Sequence, residues 1–374
     1  MWSIALQTLI ADRGKLFTAL VGVVFSVVLV NLQGGLFLGM IFKASLLVVN
    51  GRADIWVGHR QMHNVEFPRD IPRRWTYRIR PIAGVKRADP YLIGFSDMTL
   101  PGGGFEGVAV VGVDRHSQLG RAWSLDQGPS DALQHTDGIV VDDSEDFKLN
   151  YPKLGDVREI GYKRARIVGK SSGIMGFQVA PYVFTNYELA AKYLNKSPND
   201  CSYILVELEP GADVDQVCAA IRQRVPDLDA LPSQTYGQEC VNFWMTRTGL
   251  GISFGAATLL GVLVGLVMVA QTLYAMVLDR LVEFGTLKAI GATETQIFSI
   301  LLIQAVVMAI VGSLIGLQLV TIIQGLFTSP SAPIVIPLWL SISSCGLVLV
   351  ICLLSSLIPY IRIRKVDPMV VLQS

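Results

Sequence analysis

Three short motifs could do chemistry. "GKSSG" at 169–173 carries the glycine–lysine–serine end of a phosphate loop. Such a loop wraps phosphate in backbone amides and needs another glycine five residues before its second one. Arg164 stands there, so a hairpin turn is the simpler reading. "GHRQMH" sets His59 and His63 four apart, a spacing that on a helix could offer two nitrogens to zinc. The H-E-x-x-H pattern is absent and no third ligand stands near, so exposed loop histidines are the alternative. "DDSEDF" groups Asp142, Asp143, Glu145 and Asp146. A calcium loop spaces its oxygens about a central glycine. None is present, which leaves a solvated face or a helix start. No nucleophile elbow occurs, and the 4 histidines stand in no catalytic frame. The expectation is a chain that is not an enzyme, with no catalytic residue, no metal and no cofactor bound by the chain itself.

The elements that would position such residues divide into two kinds. Of 374 residues, 51% are hydrophobic and 16% charged, against roughly 25% charged in soluble domains. The net charge of +1 provides no basic footprint for nucleic acid. Four stretches reach the roughly 20 apolar residues that a bilayer requires: 16–42, 250–278, 297–327 and 336–361. The first is too long for a signal-peptide core, and no A-x-A-like cleavage site follows it. Arg13 and Lys15 precede it, Arg280 and Lys288 lie in 279–296, and Arg362, Arg364 and Lys365 follow the last span. Lysine and arginine mark the cytoplasmic side. Residues 1–15, a cytoplasmic amphipathic segment, the 279–296 loop and the 362–374 tail are therefore expected inside. The 43–249 block and the short 328–335 loop are expected outside, with Lys43 as the one exception.

The 43–249 block is long enough for its own core. Residues 107–114 and 202–209 predict strands. Residues 211–225 predict a helix with Val214, Val217, Cys218, Ile221 and Val225 on one face and Asp213 as N-cap. Thr185 and Glu188 form a capping box for another helix. The fold class is thus an α-helical membrane protein with four transmembrane helices and a large α+β extracytoplasmic domain between the first and second. Cys201, Cys218 and Cys240 fall in that domain, either with one disulfide or as three buried thiols.

The polar residues inside the spans, Asn31, Gln33, Gln271, Gln304 and Gln318, are neutral. Gradient-driven carriers place ionisable groups there, so that class is disfavoured. Glycines recur four apart at Gly35 and Gly39, Gly261 and Gly265, and Gly312 and Gly316. Such pairs let helices approach closely, within one subunit or across a homodimer seam.

One charged interruption stands between the second and third spans. In "LVEFGTLKAIGATETQI" (281–297), Leu281, Phe284, Leu287 and Lys288 share a helical face. Gly291 is a C-cap, and Thr293 with Gln296 forms a capping box that restarts helix. Helix, stop, helix is a rigid element suited to being gripped; an interfacial turn on lipid is the alternative.

From Arg280 to Ala292 this stretch resembles the R-x-x-E-[IF]-G-x-x-[KR]-A-[IL]-G-A motif of the permease family that includes MacB, LolC/LolE and FtsX. "GSLIG" in the third span, the tail "RKVDPMVVLQ" with Asp367, Pro368 and Leu372, and "YPKLGDVREI" at 151–160 extend the likeness over the whole chain. The opening "ADRGKLFTALVGVVFSVVLV", then "ADIWVG", is similar to the DevC branch of export permeases. The resemblance implies a mechanotransmitting permease subunit of an ABC exporter in the inner membrane, both termini cytoplasmic. A separate ABC ATPase dimer, which holds the ATP and Mg, would grip a coupling helix at about 281–291. Arg280, Glu283, Phe284, Gly285, Lys288 and Gly291 would carry that contact, with Phe284 in an ATPase groove. MacB proper carries its ATPase at its own N-terminus; here about fifteen residues precede the first span, so hydrolysis is expected from another chain. Further implied partners are a second copy of the chain, a periplasmic membrane-fusion adaptor, a TolC-like outer-membrane channel, and membrane lipids, with a lipid or other amphiphile as cargo. The same family offers a LolC/LolE-like lipoprotein-sorting permease, or an FtsX-like regulator of a cell-wall hydrolase. A peptide sensor, the remaining class, usually has more spans.

Overall fold

The computed structural model describes residues 2–361 apart from 12, 130–132, 134, 179, 280–282, 284–285, 287, 289, 330–331 and 358–359. Helices α1 (Trp2–Ala11) and α2 (Arg13–Val49) come first. Strands β1 (Ile55–His59) and β2 (Ile71–Pro72) precede α3 (Thr76–Ile79). Then follow β3 (Val85–Thr99), β4 (Phe105–Val113), β5 (Leu125–Gln127), β6 (Gly138–Asp142), β7 (Val157–Ile160), β8 (Lys163–Ser171) and β9 (Tyr182–Asn186). Helix α4 (Tyr187–Tyr193), β10 (Asp200–Cys201), β11 (Tyr203–Leu208), α5 (Val214–Arg224), β12 (Leu228–Pro232) and α6 (Ser233–Asn242) complete this block. Helices α7 (Leu250–Asp279), α8 (Glu294–Phe327) and α9 (Leu338–Ser355) close the chain. It divides into a helical unit, residues 1–39 with 252–374, and a strand-rich unit, residues 40–251.

Helices α2, α7, α8 and α9 are each long and apolar enough to cross a membrane. Helix α2 runs seven residues beyond the 16–42 span expected of it, to Val49. Residues 40–49 belong to the strand-rich unit, where Leu47 and Val48 join a buried cluster with Trp56. Lys43, the exception to the charge rule, is buried there too. Within the 336–361 stretch α9 covers Leu338–Ser355, and residues 357, 360 and 361 are helical beyond it. Residues 362–374, with the tail motif, lie outside the described residues.

The strand-rich unit is built on a ten-stranded mixed sheet in the order β12-β1-β11-β3-β4-β9-β6-β8-β5, with β7 attached to β3 and β8. Strand β4 runs parallel to β9 and β6 parallel to β8. One face packs Leu189, Ala190 and Tyr193 of α4 and Val217, Cys218 and Ile221 of α5. The other buries Trp56, Tyr91, Tyr203 and Tyr236, with ring centroids 5.3 to 5.7 Å from that of Trp56. The Tyr236 hydroxyl donates to that of Tyr203 at 3.0 Å, which donates to the Asn64 carbonyl at 2.9 Å. The hydroxyls of Tyr203 and Tyr236 are thus satisfied while their ring faces are dry, whereas the buried Trp56 Nε1 meets no acceptor among the described residues.

The Asp213 cap is as read, its side chain accepting from the Asp215 and Gln216 amides. The Thr185 cap is not. Thr185 pairs with Gly112 inside the sheet, and its hydroxyl donates to the Gly138 carbonyl at 2.8 Å. Asn186 caps α4 instead, accepting from the Leu189 amide at 3.0 Å. "GKSSG" lies mostly on β8, because Gly169 to Ser171 pair with β6, and so forms no hairpin turn. His59 ends β1, so the two histidines share no helix. The acidic cluster starts a short 3-10 helix: Asp142 accepts from Ser144 N, Ile174 N and Ser171 Oγ, each at 3.0 Å. Glu145 pairs with Lys148 at 3.2 Å, and Asp146 with Lys170. Among the described residues no group of three or more His, Cys, Asp or Glu is placed to hold a metal. Cys201, Cys218 and Cys240 are free, buried thiols. Burial pushes them up to about 12, 11 and 12, far from thiolate character.

Candidate coupling site

The stretch between α7 and α8 is short and carries charge of both signs between two apolar helices. Arg280, Phe284 and Gly285 lie outside the described residues, as do Leu281 and Leu287. Glu283, Thr286 and Lys288 are helical, and Glu283 is exposed. The turn that ends this helix is closed by Ile290 N to Thr286 O at 3.0 Å and Gly291 N to Lys288 O at 3.2 Å. Gly291 takes φ +104°, a conformation that only glycine adopts freely at a helix C-cap. Two residues later both halves of the capping box are formed. Gln296 N donates to Thr293 Oγ1 at 3.3 Å, and Thr293 N to Gln296 Oε1 at 2.9 Å.

Side chains fasten the stop to the spans. Lys288 reaches across it to Glu294 at 3.9 Å. At the base, Val277 of α7 packs with Ile297 and Leu301 of α8, and Ala292 and Tyr360 close the cluster. The Phe298 and Tyr360 rings lie 4.7 Å apart. Lys15, at the start of α2, pairs with Asp279 at the end of α7. The short α1 lies on α8: Ala5 and Leu9 are buried, and Gln304 Nε2 donates to the Ala5 carbonyl at 3.4 Å. Ile290 is 80% exposed on this otherwise fastened loop.

Sequence reasoning did not identify Ile290, Asp279 or Glu294. An apolar residue just before a glycine stop is a weak local sign of the first. No local sign marks the Lys15–Asp279 pair, which needs α2 and α7 brought together.

The six paired glycines each meet a neighbour from the same chain's helical unit. An added Cβ at Gly35 would stand 2.7 Å from Ile336, and one at Gly39 would meet the Pro333 carbonyl. At Gly261 and Gly265 it would meet Leu29 and Ser26 of α2; at Gly312 and Gly316, Val23 and Val27 of α2. Among the intramembrane polar residues, Asn31 Nδ2 donates to Ser344 Oγ at 2.7 Å, tying α2 to α9.

Comparison with known proteins agrees with this architecture. Residues 16–224 match the MacB-like periplasmic core domain family, and residues 255–368 match the FtsX-like permease C-terminal family. The chain is similar to an uncharacterized ABC transporter permease of Methanocaldococcus jannaschii, 25% identical over 173 residues, 45% of this chain and 42% of that one. It is similar to another of Mycobacterium tuberculosis, 26% identical over 220 residues, 58% of this chain and 57% of that one. Likeness to the macrolide export ATP-binding/permease protein MacB of Agrobacterium fabrum is 26% over 209 residues, 53% of this chain and 32% of that one. The chain spans about half the length of the first two relatives.

Proposed function

This chain belongs to the permease family that joins a MacB-like periplasmic core domain to an FtsX-like C-terminal region, and we propose that it is the membrane subunit of an ABC exporter, driven by a separate ATPase. The observation that carries this is the fastened stop between α7 and α8: a glycine-terminated helix, a complete capping box and a cross-stop ion pair. A loop held this way transmits a push, because moving it moves both helices. The ATPase grips 281–291, with Glu283 and Lys288 at the rim and Ile290 as an added apolar contact. Phe284 enters a groove on the ATPase. ATP and Mg belong to that partner. Closure of the nucleotide sites moves the first two spans, and the strand-rich unit, on the outer side, shifts with them.

Two copies of the chain assemble with an ATPase dimer in the inner membrane, with N- and C-termini inside. As in the DevC-like branch, a periplasmic adaptor and an outer-membrane channel complete the path, and the cargo is a lipid or another amphiphile taken from the outer side. The neutral character of the span interiors supports a route that needs no charged pore.

The test is Glu283→Lys in the full chain, followed by mild-detergent purification. The ATPase should be lost from the purified complex while the variant remains folded in the membrane; unchanged association overturns the assignment of the loop. A thiol introduced as Ser329→Cys should label from outside intact cells. Labelling only after permeabilisation would reverse the topology. Co-purification of a lipoprotein carrier or a cell-wall hydrolase in place of an adaptor would keep the mechanism and change the purpose.

A further inference from the structure

The β7–β8 hairpin closes in two residues, Gly161 and Tyr162, with Ile160 opposite Lys163. Both have positive φ, +53° and +63°. This is the turn that matches strand twist and favours Asn-Gly, with glycine at the second position. A tyrosine there strains the backbone. Burial does not offset the strain, because Tyr162 is 89% exposed. Folding alone gives no reason to hold an aromatic ring in water on a strained tip, and strain of this kind clusters at functional sites.

Beside the tip lies a cleft of about 610 Å³, within the roughly 300–1,000 Å³ typical of small-ligand sites. Phe95, Phe105 and Tyr162 line it, the two phenylalanines 41% and 63% exposed. Phe105 stands opposite Thr99, and Phe95 lies four residues earlier on the same strand, so both rings share one face of the β3–β4 pair. Gly107, opposite Asp97, leaves that face open, with nothing within 4 Å of an added Cβ. Lys163 and Lys192 also line the cleft, and neither has an ion-pair partner among the described residues. Asp97 is the single carboxylate, so the cleft is positive on balance.

We propose that this cleft binds an amphiphile with an anionic head. Lys163 and Lys192 take the head, and Phe95, Phe105 and Tyr162 take the adjoining apolar body. The volume admits a head group and part of one chain rather than a whole two-chain lipid. Tyr162 is kept on its strained tip because it forms one side of the apolar wall. Use of the cleft in export rests on the function proposed above, but binding to it does not.

The test titrates octyl phosphate, below its micelle concentration, into the full chain in phosphatidylcholine nanodiscs, with empty nanodiscs as background. Saturable binding at one site per chain is expected, weakened at least tenfold by Lys163→Ala with Lys192→Ala and tightened by Asp97→Asn. Tyr162→Gly separates binding from folding: it should weaken binding severalfold while the melting temperature holds or rises. Equal binding of octyl glucoside, or equal competition by inorganic phosphate, overturns the proposal, because one half of the site would then do nothing. So does affinity unmoved by the lysine and tyrosine variants. A photoreactive residue in place of Tyr162 that couples to a protein and to no lipid in whole cells also overturns it. Glu283→Lys should leave octyl phosphate binding intact, so a failed coupling loop and a failed cleft give different results.

Discussion

The helical unit and the strand-rich unit bury different kinds of side chain. Where α2 meets α8, Ala19, Val23 and Val27 lie against Ala305, Met308 and Ala309, and the space left by Gly312 and Gly316 receives Val23 and Val27. The largest fully buried side chains, from Trp56, Tyr91 and Tyr182 to Phe184 and Ile93, all lie in the strand-rich unit. In the helical unit many large residues point outward, as Leu259, Leu260 and Leu263 of α7 do, and those that are buried, such as Leu301 and Met308, are aliphatic rather than aromatic. The difference follows from the solvent. In water, burying apolar surface contributes about 25 cal/mol per Å², so bulk belongs inside. Lipid tails are as apolar as leucine, so spans gain instead from close backbone approach and a few polar ties. The Asn31–Ser344 hydrogen bond is such a tie.

The comparison can be broken most strongly in the strand-rich unit. Trp56→Ala should cost about 3–5 kcal/mol there, seen as a lowered melt in near-ultraviolet circular dichroism, with membrane insertion unaffected. A melt shifted by less than about 1 kcal/mol would show that the aromatic cluster is not the core of that unit. In the helical unit the opposite change should hurt. Gly316→Leu forces bulk against Val27 and should cost about 1–3 kcal/mol, read as lower resistance of the spans to denaturing detergent. Equal effects of this variant on both units would remove the distinction between them. In the loop between α7 and α8, Thr293→Ala removes half of a capping box and should cost about 1 kcal/mol. Faster amide exchange confined to residues 291–297 is the expected sign, and unchanged exchange would deny the loop its rigidity.

The smallest effect concerns Glu66, in the strand-rich unit. Burial raises its carboxyl above the usual range, against the hydrogen bonds from Tyr182 and the Phe177 amide, both at 2.9 Å. A carboxyl with a raised folded pKa holds its proton more firmly folded than unfolded. Stability is therefore lost as pH rises from the unfolded value, about 4.3, through the folded one, and stays lower above it. Glu66→Gln keeps an acceptor and removes the titration. Its melting temperature should fall less than the parent's as pH rises above about 4.3. An equal fall would assign the slope to other groups.

Local patterns were legible where one solvent acts on one element. The four spans follow from runs of apolar residues that no soluble helix needs, and the caps at Asp213 and Thr293 from side chains that reach amides two or three residues away. Legibility failed where a distant strand or packing face competed. Thr185 has a good capping pattern, but its pairing with Gly112 keeps it in the sheet and passes the cap to Asn186. Helix α2 continues to Val49 because Leu47 and Val48 find a buried cluster whose other members are far along the chain. The glycine pairs were visible as spacing, whereas Val23, Ser26, Val27 and Leu29 as their neighbours were not. Lys15 and Asp279, more than two hundred residues apart, become a pair only once the spans have assembled.

By itself the sequence determined the alternation of apolar and charged stretches, and with it the spans, the strand-rich block and the stop between α7 and α8, because hydropathy, capping and turn chemistry act over a few residues. Tertiary structure decided which small residues receive which neighbours, which charges pair, and that three aromatic rings and two lysines line one cleft, because those depend on distances that only the closed chain sets.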